Sequence, residues 1–147
     1  MLVIEKSLEF KAPPEKVWAV IADHSRMPEW AQMRSVTITS SQTEGVGLTC
    51  DCDFGLFRAE ERVTEWQDNR KIAHQLIAMG MPMTEMWELE SVEGGTRFIW
   101  RQEIDASGIR RLMAPMMKWQ MGRTFDKALR NLKALIERES QGGSRQD

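Results

Sequence analysis

An alternation of apolar and polar residues, running from residue 34 to residue 105, constrains the fold of this chain more than any other feature. Successive side chains of a β-strand leave opposite faces, so a period of two predicts strands with one buried face. The clearest stretch, FIWRQEI, places one row on a single face: Phe98, Trp100, Gln102 and Ile104. Because an unpaired buried amide costs about 1 to 3 kcal/mol, Gln102 in this row indicates a face that lines a cavity.

Turn-forming residues divide the alternating stretch into short segments, and a similar segment precedes it. Gly45, Gly55 and the Gly94–Gly95 pair lie in such turns, and connections this short join antiparallel neighbours. The sequence therefore predicts an antiparallel sheet of seven strands, at 2–11, 34–43, 46–54, 57–66, 71–79, 83–92 and 96–105.

Helical spacing of apolar residues replaces the alternation outside these strands. Pro14 suits the first turn of a short helix at 14–23, and a second short helix or turn follows at 26–30. From 115 to 139 apolar residues recur every three or four positions, which predicts a long helix with one buried stripe. We expect residues 1–139 to form one domain and the polar residues 140–147 to form a flexible tail.

Composition and charge argue against several kinds of partner. With 20 basic and 22 acidic residues, the chain has a formal charge of -2 and lacks the basic surface typical of nucleic-acid binding. The first residues do not resemble a secretory signal, and no run of about 18 apolar residues could span a membrane. We therefore expect a cytoplasmic protein that neither binds nucleic acid nor inserts stably into a membrane.

The two cysteines, Cys50 and Cys52, are separated by one residue within a predicted strand. They point to the same face with Cα atoms about 7 Å apart, which is wide for a disulfide. With His24 and His74 as the only histidines, the C-x-C spacing matches known zinc sites poorly. The pattern favours buried structural cysteines over a metal or redox site, and no metal or cofactor is predicted.

Three stretches of sequence carry a family resemblance: FKAPPEKVWAVIADHSRMPEW at 10–30, GGTRFIWRQEID at 94–105 and MMKWQMGRTFDKALRNLKALIE at 116–137. With the order of the predicted elements, they resemble the helix-grip fold of the START-like or SRPBCC superfamily. The Trp-x-Gln-Glu motif at 100–103, with Trp87 on the preceding strand, is similar to the polyketide cyclase/dehydrase branch. The resemblance implies an α+β fold, in which a seven-stranded curved antiparallel sheet wraps around the long C-terminal helix, with two short helices between strands 1 and 2.

The resemblance also implies a cavity between sheet and helix that holds an apolar or amphipathic small molecule. Aromatic rings would form flat walls, methionines would adapt to an irregular ligand, and Gln102 would bind a carbonyl or hydroxyl group. The predicted ligand-binding residues are Phe54, Met83, Glu85, Trp87, Phe98, Trp100, Gln102, Met117 and Met121. The alternative is ordinary core packing, with Gln102 bonded to backbone and Glu85 solvated near the start of its strand.

Glu61 and His74 are the candidate catalytic pair. If the turn at 67–70 pairs Trp66 with Lys71, Glu61 and His74 become diagonal neighbours on the inner face. A carboxylate beside an imidazole in a dry pocket could act as general acid and base on an enolisable polyketide. The alternative is a pair that satisfies its own polar groups beside the cavity.

A second apolar patch, formed by Leu112, Met116 and Trp119, lies near the start of the long helix. It suits a cavity lid, a homodimer surface or a spot that touches a membrane. The sequence thus predicts hydrophobic small-molecule binding in an internal cavity. Two further functions stay open, which are polyketide cyclase/dehydrase-like catalysis and non-catalytic carriage or sensing of a lipid or quinone.

Overall fold

A computed structural model describes residues 1–145, apart from the side chains at position 109 and from position 141 onward. The elements follow in the order β1 Leu2–Phe10, α1 Pro14–Ile21, a first 3₁₀ helix His24–Glu29, β2 Ser35–Ile38, β3 Thr49–Asp53, β4 Arg58–Gln67, β5 Lys71–Ala78, β6 Met81–Val92, β7 Gly95–Ile104, a second 3₁₀ helix Gly108–Met113 and α2 Ala114–Arg145. This is the predicted α+β order of one strand, two short helices, six strands and a long helix.

All the strands form one antiparallel sheet, in the order β1-β7-β6-β5-β4-β3-β2. From β2 to β7 each strand pairs with the next along the chain, whereas β1 pairs with β7. Helix α2 runs close to β1 and covers one face of the sheet, which we call the inner face. The predicted helix-grip fold is confirmed.

Strand β2 is shorter than the predicted strand 34–43 because side chains of the following loop bond to the loop backbone. The Ser40 hydroxyl donates to the Gln42 carbonyl at 2.8 Å, and the Gln42 amide donates to the Val46 carbonyl at 2.6 Å. Such local hydrogen bonds stabilise a loop in place of a strand ladder. The strand therefore ends at Ile38.

A β-bulge at position 64 interrupts the β4–β5 hairpin. Before the bulge, Glu61 and His74 have the predicted register. Beyond it, Trp66 does not pair with Lys71 as predicted, because the extra residue shifts the register by one. The shift turns Trp66 toward the inner face, where it packs against the core.

Helix α2 is buried unevenly along its length. Its later turns carry a buried stripe made of Phe125, Ala128, Leu129, Leu132, Leu135 and Ile136. No side chain in its first two turns is buried, and Met117 and Met121 are half-buried against the core. The helix is described to Arg145, beyond the predicted end at 139, and the flexibility of 140–147 stays a prediction.

Gly95 is needed where the start of β7 meets the end of β1. A Cβ atom at this position would lie 1.9 Å from the Phe10 carbonyl oxygen, far inside van der Waals contact. The neighbouring Thr96 donates its hydroxyl to the Ala12 carbonyl at 2.7 Å. The start of β7 is thereby fixed against the segment that leads into α1.

Candidate functional site

Three buried polar side chains form a row across the inner face of the sheet. His74 on β5 lies directly opposite Glu85 on β6, and Glu85 lies directly opposite Gln102 on β7. Each side chain is at most 5% exposed. Directly opposite side chains are close enough to interact, so strand register alone brings the three together. We call His74, Glu85 and Gln102 the polar row.

Glu85 is the centre of the polar row. Gln102 donates from Nε2 to Glu85 Oε2 at 3.1 Å, and His74 Nδ1 lies 3.9 Å from Glu85 Oε1. The indole N–H groups of Trp87 and Trp100 approach the same carboxyl group without reaching standard hydrogen-bond geometry. One carboxyl group is thus surrounded by potential hydrogen-bond donors.

The Glu85 side chain is a neutral carboxylic acid at pH 7. Burial raises its pKa to about 8, and the negative charge of nearby Glu61 adds to that shift. A protonated carboxyl group can donate a hydrogen bond as well as accept one. Glu85 can therefore give a proton to a bound molecule or to His74.

The two histidines form a directed chain that ends at Glu85. Their Nε2 atoms lie 2.9 Å apart, and His24 Nδ1 lies 3.3 Å from the Ala22 carbonyl oxygen. Because a carbonyl oxygen only accepts, His24 donates from Nδ1 and, being neutral, accepts at Nε2. His74 then donates from Nε2 and keeps a lone pair on Nδ1, which faces Glu85. Burial lowers the pKa of both rings, which makes the neutral forms dominant at pH 7.

Four buried polar atoms around the row have no hydrogen-bond partner among the described residues: His74 Nδ1, Trp87 Nε1, Trp100 Nε1 and Gln102 Oε1. Two are indole donors, and the Gln102 oxygen is an acceptor. Buried polar atoms in native proteins are nearly always paired. Their concentration in one place indicates room for the polar group of a ligand or for an ordered water.

Trp100, the inner-face neighbour of Gln102 on β7, packs against helix α2. The Trp100 ring stacks on the Phe125 ring, with centroids 4.1 Å apart and planes at 15°. Gln102 follows Trp100 by two residues of strand, which is about 7 Å, and a helix covers this distance in four to five residues. Gln102 therefore lies near the level of Met121, four residues before Phe125. This is the part of the helix that covers the sheet least.

Glu61 forms a separate cluster with the two cysteines of β3. Glu61 Oε2 accepts from Cys50 Sγ at 3.5 Å and from Cys52 Sγ at 3.3 Å, and the two sulfur atoms are 3.9 Å apart. All three residues are buried, and both cysteines are free. Burial raises the pKa of Glu61 to about 8. The hydrogen bond with Cys50, and burial, raise the pKa of the Cys52 thiol. We call these residues the thiol cluster.

Glu61 and His74 are the predicted diagonal neighbours, but the alternative in which they satisfy each other's polar groups is wrong. Their register is as expected, but no hydrogen bond or ion pair joins them among the residues that the structure describes. Glu61 bonds instead to the thiols of the adjacent strand β3. His74 bonds to His24 and faces Glu85, because the first 3₁₀ helix brings His24 onto this face.

The expectation of a solvated Glu85 is also wrong, because β6 begins at Met81 rather than at residue 83. Glu85 therefore lies inside the strand and is 5% exposed. Phe54 lies outside its predicted strand, because β3 ends at Asp53 rather than at residue 54. Its ring stacks on Phe57 in the following hairpin, with centroids 4.9 Å apart.

The residues predicted to line the ligand cavity differ in how deeply they are buried. Trp87 and Phe98 are at most 1% exposed and pack with Trp30 in an aromatic core. Their rings form part of the core beside Trp30, while the Trp87 N–H group is directed toward Glu85. Met83 is on the inner face, and Met117 and Met121 are half-buried. A cavity beneath the first turns of α2 stays a prediction.

Sequence reasoning missed His24, Trp30 and Phe125. The sequence places His24 and Trp30 in short segments around α1 whose direction it does not fix. Trp30 packs edge-on against Trp100, with ring centroids 5.7 Å apart. Helical spacing predicts that Phe125 belongs to the buried stripe of the long helix, and only the structure pairs it with Trp100.

A groove of about 770 Å³ is lined by residues of strands β3 to β7, among them Met83 and the thiol-cluster residues Cys50 and Glu61, and by no residue of α2. Its lining includes the outward-facing polar residues Asp51, Glu60, Arg62, Gln75, Thr84 and Glu103. The lining also includes the apolar residues Leu76, Ile77 and Pro82, and none of the unpaired atoms of the polar row belongs to it.

The fold and the buried polar groups define a class: a helix-grip protein whose sheet and C-terminal helix enclose hydrogen-bonding groups. A family model described as polyketide cyclase / dehydrase and lipid transport matches residues 1–137. The chain therefore belongs to this family, within the SRPBCC or START-like superfamily, as its sequence motifs indicated.

Solved structures agree on the fold. A conserved protein from Geobacillus kaustophilus aligns with a TM-score of 0.76 at 14% identity, covering 93% of this chain and 96% of that one. A START superfamily protein from Mycobacterium smegmatis aligns with a TM-score of 0.74 at 15% identity, covering 94% and 99%. A protein from Rhodobacter sphaeroides aligns with a TM-score of 0.69 at 20% identity, covering 92% and 93%. Identities this low show a shared fold and nothing more specific.

No curated protein matches the chain significantly. Within residues 1–145, no helix combines the length and the apolar character that crossing a membrane requires.

Proposed function

We propose that this protein binds a hydrophobic small molecule between the sheet and the first turns of α2. The ligand carries a hydroxyl or carbonyl group that hydrogen-bonds within the polar row. Its apolar part lies against Met83, Met117 and Met121, whose flexible side chains adapt to irregular shapes. Family membership supports this class of ligand.

The unpaired polar atoms around Glu85 are the observation that carries the proposal. Each unsatisfied buried group costs about 1 to 3 kcal/mol, and Trp87, Trp100 and Gln102 each leave one. A carbonyl oxygen would accept from an indole N–H, and a hydroxyl would donate to Gln102 Oε1. One ligand group would thus offset the cost of several protein groups.

Catalysis of the cyclase or dehydrase kind is the enzymatic form of this proposal. Loss of water from a β-hydroxy ketone needs an acid for the leaving hydroxyl and a base for the carbon-bound proton. Glu85 is a neutral acid inside the site, and the His74 lone pair is the adjacent base. Glu61, the other predicted catalytic residue, bonds to the thiols of β3 and has no part in this step.

A second candidate function is carriage of a lipid or quinone without catalysis, and an exposed surface favours it. We name this surface the entry patch: it contains Leu112, which is 83% exposed, Trp119, which is 63% exposed, and Met116. The basic residues Arg110, Arg111, Lys118 and Arg123 accompany it, and no acidic residue occurs from position 106 to 125. Apolar and basic residues together are typical of a surface that docks on anionic lipid.

Two broader parts of the proposal concern the protein's surroundings. We propose that it works in the cytoplasm, where thiols such as Cys50 and Cys52 stay reduced. A homodimer built on the entry patch is the competing use of that surface, since an apolar patch can also bind its own copy.

Native mass spectrometry of protein purified from its own host tests the binding proposal. We expect a bound species that denaturation releases, and its mass identifies the chemical class. Trp100→Ala should abolish the bound species, whereas Trp66→Ala, on the inner face but outside the polar row, should keep it. Protein that carries no small molecule and also fails to bind aromatic alcohols added at millimolar concentration contradicts the proposal.

A further inference from the structure

The thiol cluster combines three potential metal ligands from two adjacent strands. Cys50 and Cys52 are alternate residues of β3, so both sulfurs point to the inner face, and Glu61 lies directly opposite Cys50 on β4. The donor atoms of the three residues all lie within 4.8 Å of one another. The sequence pattern did not predict this arrangement, because the third donor is a carboxylate that comes nine residues after the C-x-C motif.

The distances between these donor atoms match one face of a zinc tetrahedron. Metal–ligand bonds of about 2.3 Å to sulfur and 2.1 Å to oxygen place ligand atoms about 3.8 Å apart for two sulfurs and about 3.6 Å apart for sulfur and oxygen. The observed separations are 3.9 Å for the sulfur pair and 3.5 and 3.3 Å for the two sulfur–oxygen pairs. Each agrees to within about 0.3 Å, so a cation could enter with little rearrangement.

We propose that Cys50, Cys52 and Glu61 form a binding site for a thiophilic divalent cation, zinc or a chemically similar ion. The cation replaces the thiol hydrogens that now lie between the sulfurs and Glu61 Oε2, and these protons, with any proton on the Glu61 carboxyl group, are released to solvent. Two sulfurs and one oxygen leave the fourth tetrahedral position free for water or for an oxygen of a bound molecule. The set of donors disfavours calcium and magnesium, which bind oxygen ligands alone.

This site is distinct from the small-molecule site proposed above. The polar row makes its hydrogen bonds within itself and with His24. None of these residues is a ligand in the thiol cluster. The metal proposal goes beyond the proposed function, and either can fail alone. A Gln102→Leu variant should bind the cation like the wild type.

Cobalt spectroscopy of the full chain tests the metal site. Reduced, metal-free protein is titrated with Co²⁺, which adopts zinc sites and reports its ligands by colour. We expect a thiolate-to-cobalt charge-transfer band and intense visible bands of tetrahedral type, saturating at equal concentrations of metal and protein. Added Zn²⁺ should remove the bands.

Three variants assign the ligands, and one serves as a matched control. Cys50→Ser and Cys52→Ser should each weaken the charge-transfer band, and Glu61→Gln should weaken affinity by about tenfold or more. Asp51→Asn should behave like the wild type, because Asp51 lies between the cysteines but is exposed on the outer face. Far-ultraviolet circular dichroism shows whether each variant is folded.

Thermal unfolding provides a readout that does not depend on the cysteine variants. Zn²⁺ that binds only the folded state must raise the melting temperature of the wild type, and it should raise that of Glu61→Gln by less. Folded wild-type protein without a thiolate band contradicts the proposal. Binding that Glu61→Gln and both serine variants leave unchanged also contradicts it, because the ion then sits at an adventitious site.

Discussion

At the scale of single residues, Glu85 is the least expected feature of this molecule. It lies on an apolar strand face and is covered by indoles, an amide and an imidazole. A carboxyl group in such a place is neutral at pH 7, because ionisation without full solvation is unfavourable. Sequence alternation predicts that position 85 faces inward. It cannot predict the burial depth, which depends on where β6 begins.

The titration of Glu85 predicts how stability depends on pH. Its pKa is raised from 4.5 to about 8 in the folded protein, so the folded state binds more protons than the unfolded state between these values. That stabilisation is complete below pH 4.5 and is lost as pH rises through 8. His24 and His74 act in the opposite direction, but only below their unfolded pKa of 6.5. The window from pH 6.5 to 8 therefore excludes the histidines and contains the two buried acids, Glu85 and Glu61, whose pKa is also raised to about 8.

Glu85→Gln should flatten the decline in the free energy of unfolding between pH 6.5 and 8. We expect a difference in slope of about 1 kcal/mol per pH unit, since one proton is no longer exchanged. Urea unfolding at a series of pH values measures it, and Glu88→Gln, on the outer face of the same strand, is the control. Equal slopes in Glu85→Gln and wild type would show that Glu85 is ionised in the folded protein.

Gln102→Leu separates binding from stability. The substitution removes an unpaired carbonyl oxygen together with the hydrogen bond to Glu85, so stability should change by less than about 1 kcal/mol. Affinity for 1-naphthol should fall by about tenfold or more, because its hydroxyl loses an acceptor. Calorimetric titration measures the affinity, and naphthalene, which has no hydroxyl, should bind both proteins equally. An unchanged affinity for 1-naphthol excludes Gln102 from the site.

At the scale of elements, the periodicity of apolar residues predicted which strands and helices form, but not how they pack against one another. All seven strands, the short helix α1 and the long helix follow from alternation, proline placement and helical spacing. The bulge at position 64 and the early end of β2 do not, because each depends on a local exchange of backbone hydrogen bonds. The contact between His24 and His74 depends on how the first 3₁₀ helix packs, a tertiary effect that sequence periodicity does not contain.

Two glycines in different elements should respond to alanine with opposite signs. Gly95→Ala forces a Cβ atom to 1.9 Å from the Phe10 carbonyl oxygen, and we expect destabilisation by about 3 kcal/mol or more. Gly122→Ala meets only the Lys6 side chain at 3.5 Å and should stabilise α2 by up to about 1 kcal/mol. Thermal or urea unfolding measures both. A Gly95→Ala protein of wild-type stability would refute the close approach of β7 to β1.

At the scale of the whole molecule, the sheet and α2 enclose a solid aromatic half and a polar half. The aromatic half, around Trp30, Trp100 and Phe125, is tightly packed and fixes how the helix crosses the sheet. The polar half contains His74, Glu85 and Gln102 with the unpaired atoms around them. The sequence resemblance predicted the architecture but not this division, which depends on Trp30 filling only one end.

The entry patch predicts that the protein docks on anionic vesicles. Vesicles containing phosphatidylglycerol should bind it, neutral phosphatidylcholine vesicles should not, and salt should weaken the binding. Arg110→Gln combined with Arg111→Gln should lower the affinity roughly thirtyfold, at about 1 kcal/mol for each charge. Lys127→Gln, elsewhere on α2, is the control in this sedimentation assay. Concentration-dependent dimerisation without vesicle binding would assign the patch to a second copy instead.

The central claim is that a polar ligand group enters between the sheet and the first turns of α2, and the indole N–H signals of the tryptophans test it most directly. In a nuclear magnetic resonance titration with 1-naphthol, the signals of Trp87 and Trp100 should shift together, because their unpaired N–H groups face the site. The Trp66 signal should stay in place, since its N–H already donates to Asp68. Shifts confined to Trp119 on the exposed surface, with Trp87 and Trp100 unmoved at saturation, would contradict the account.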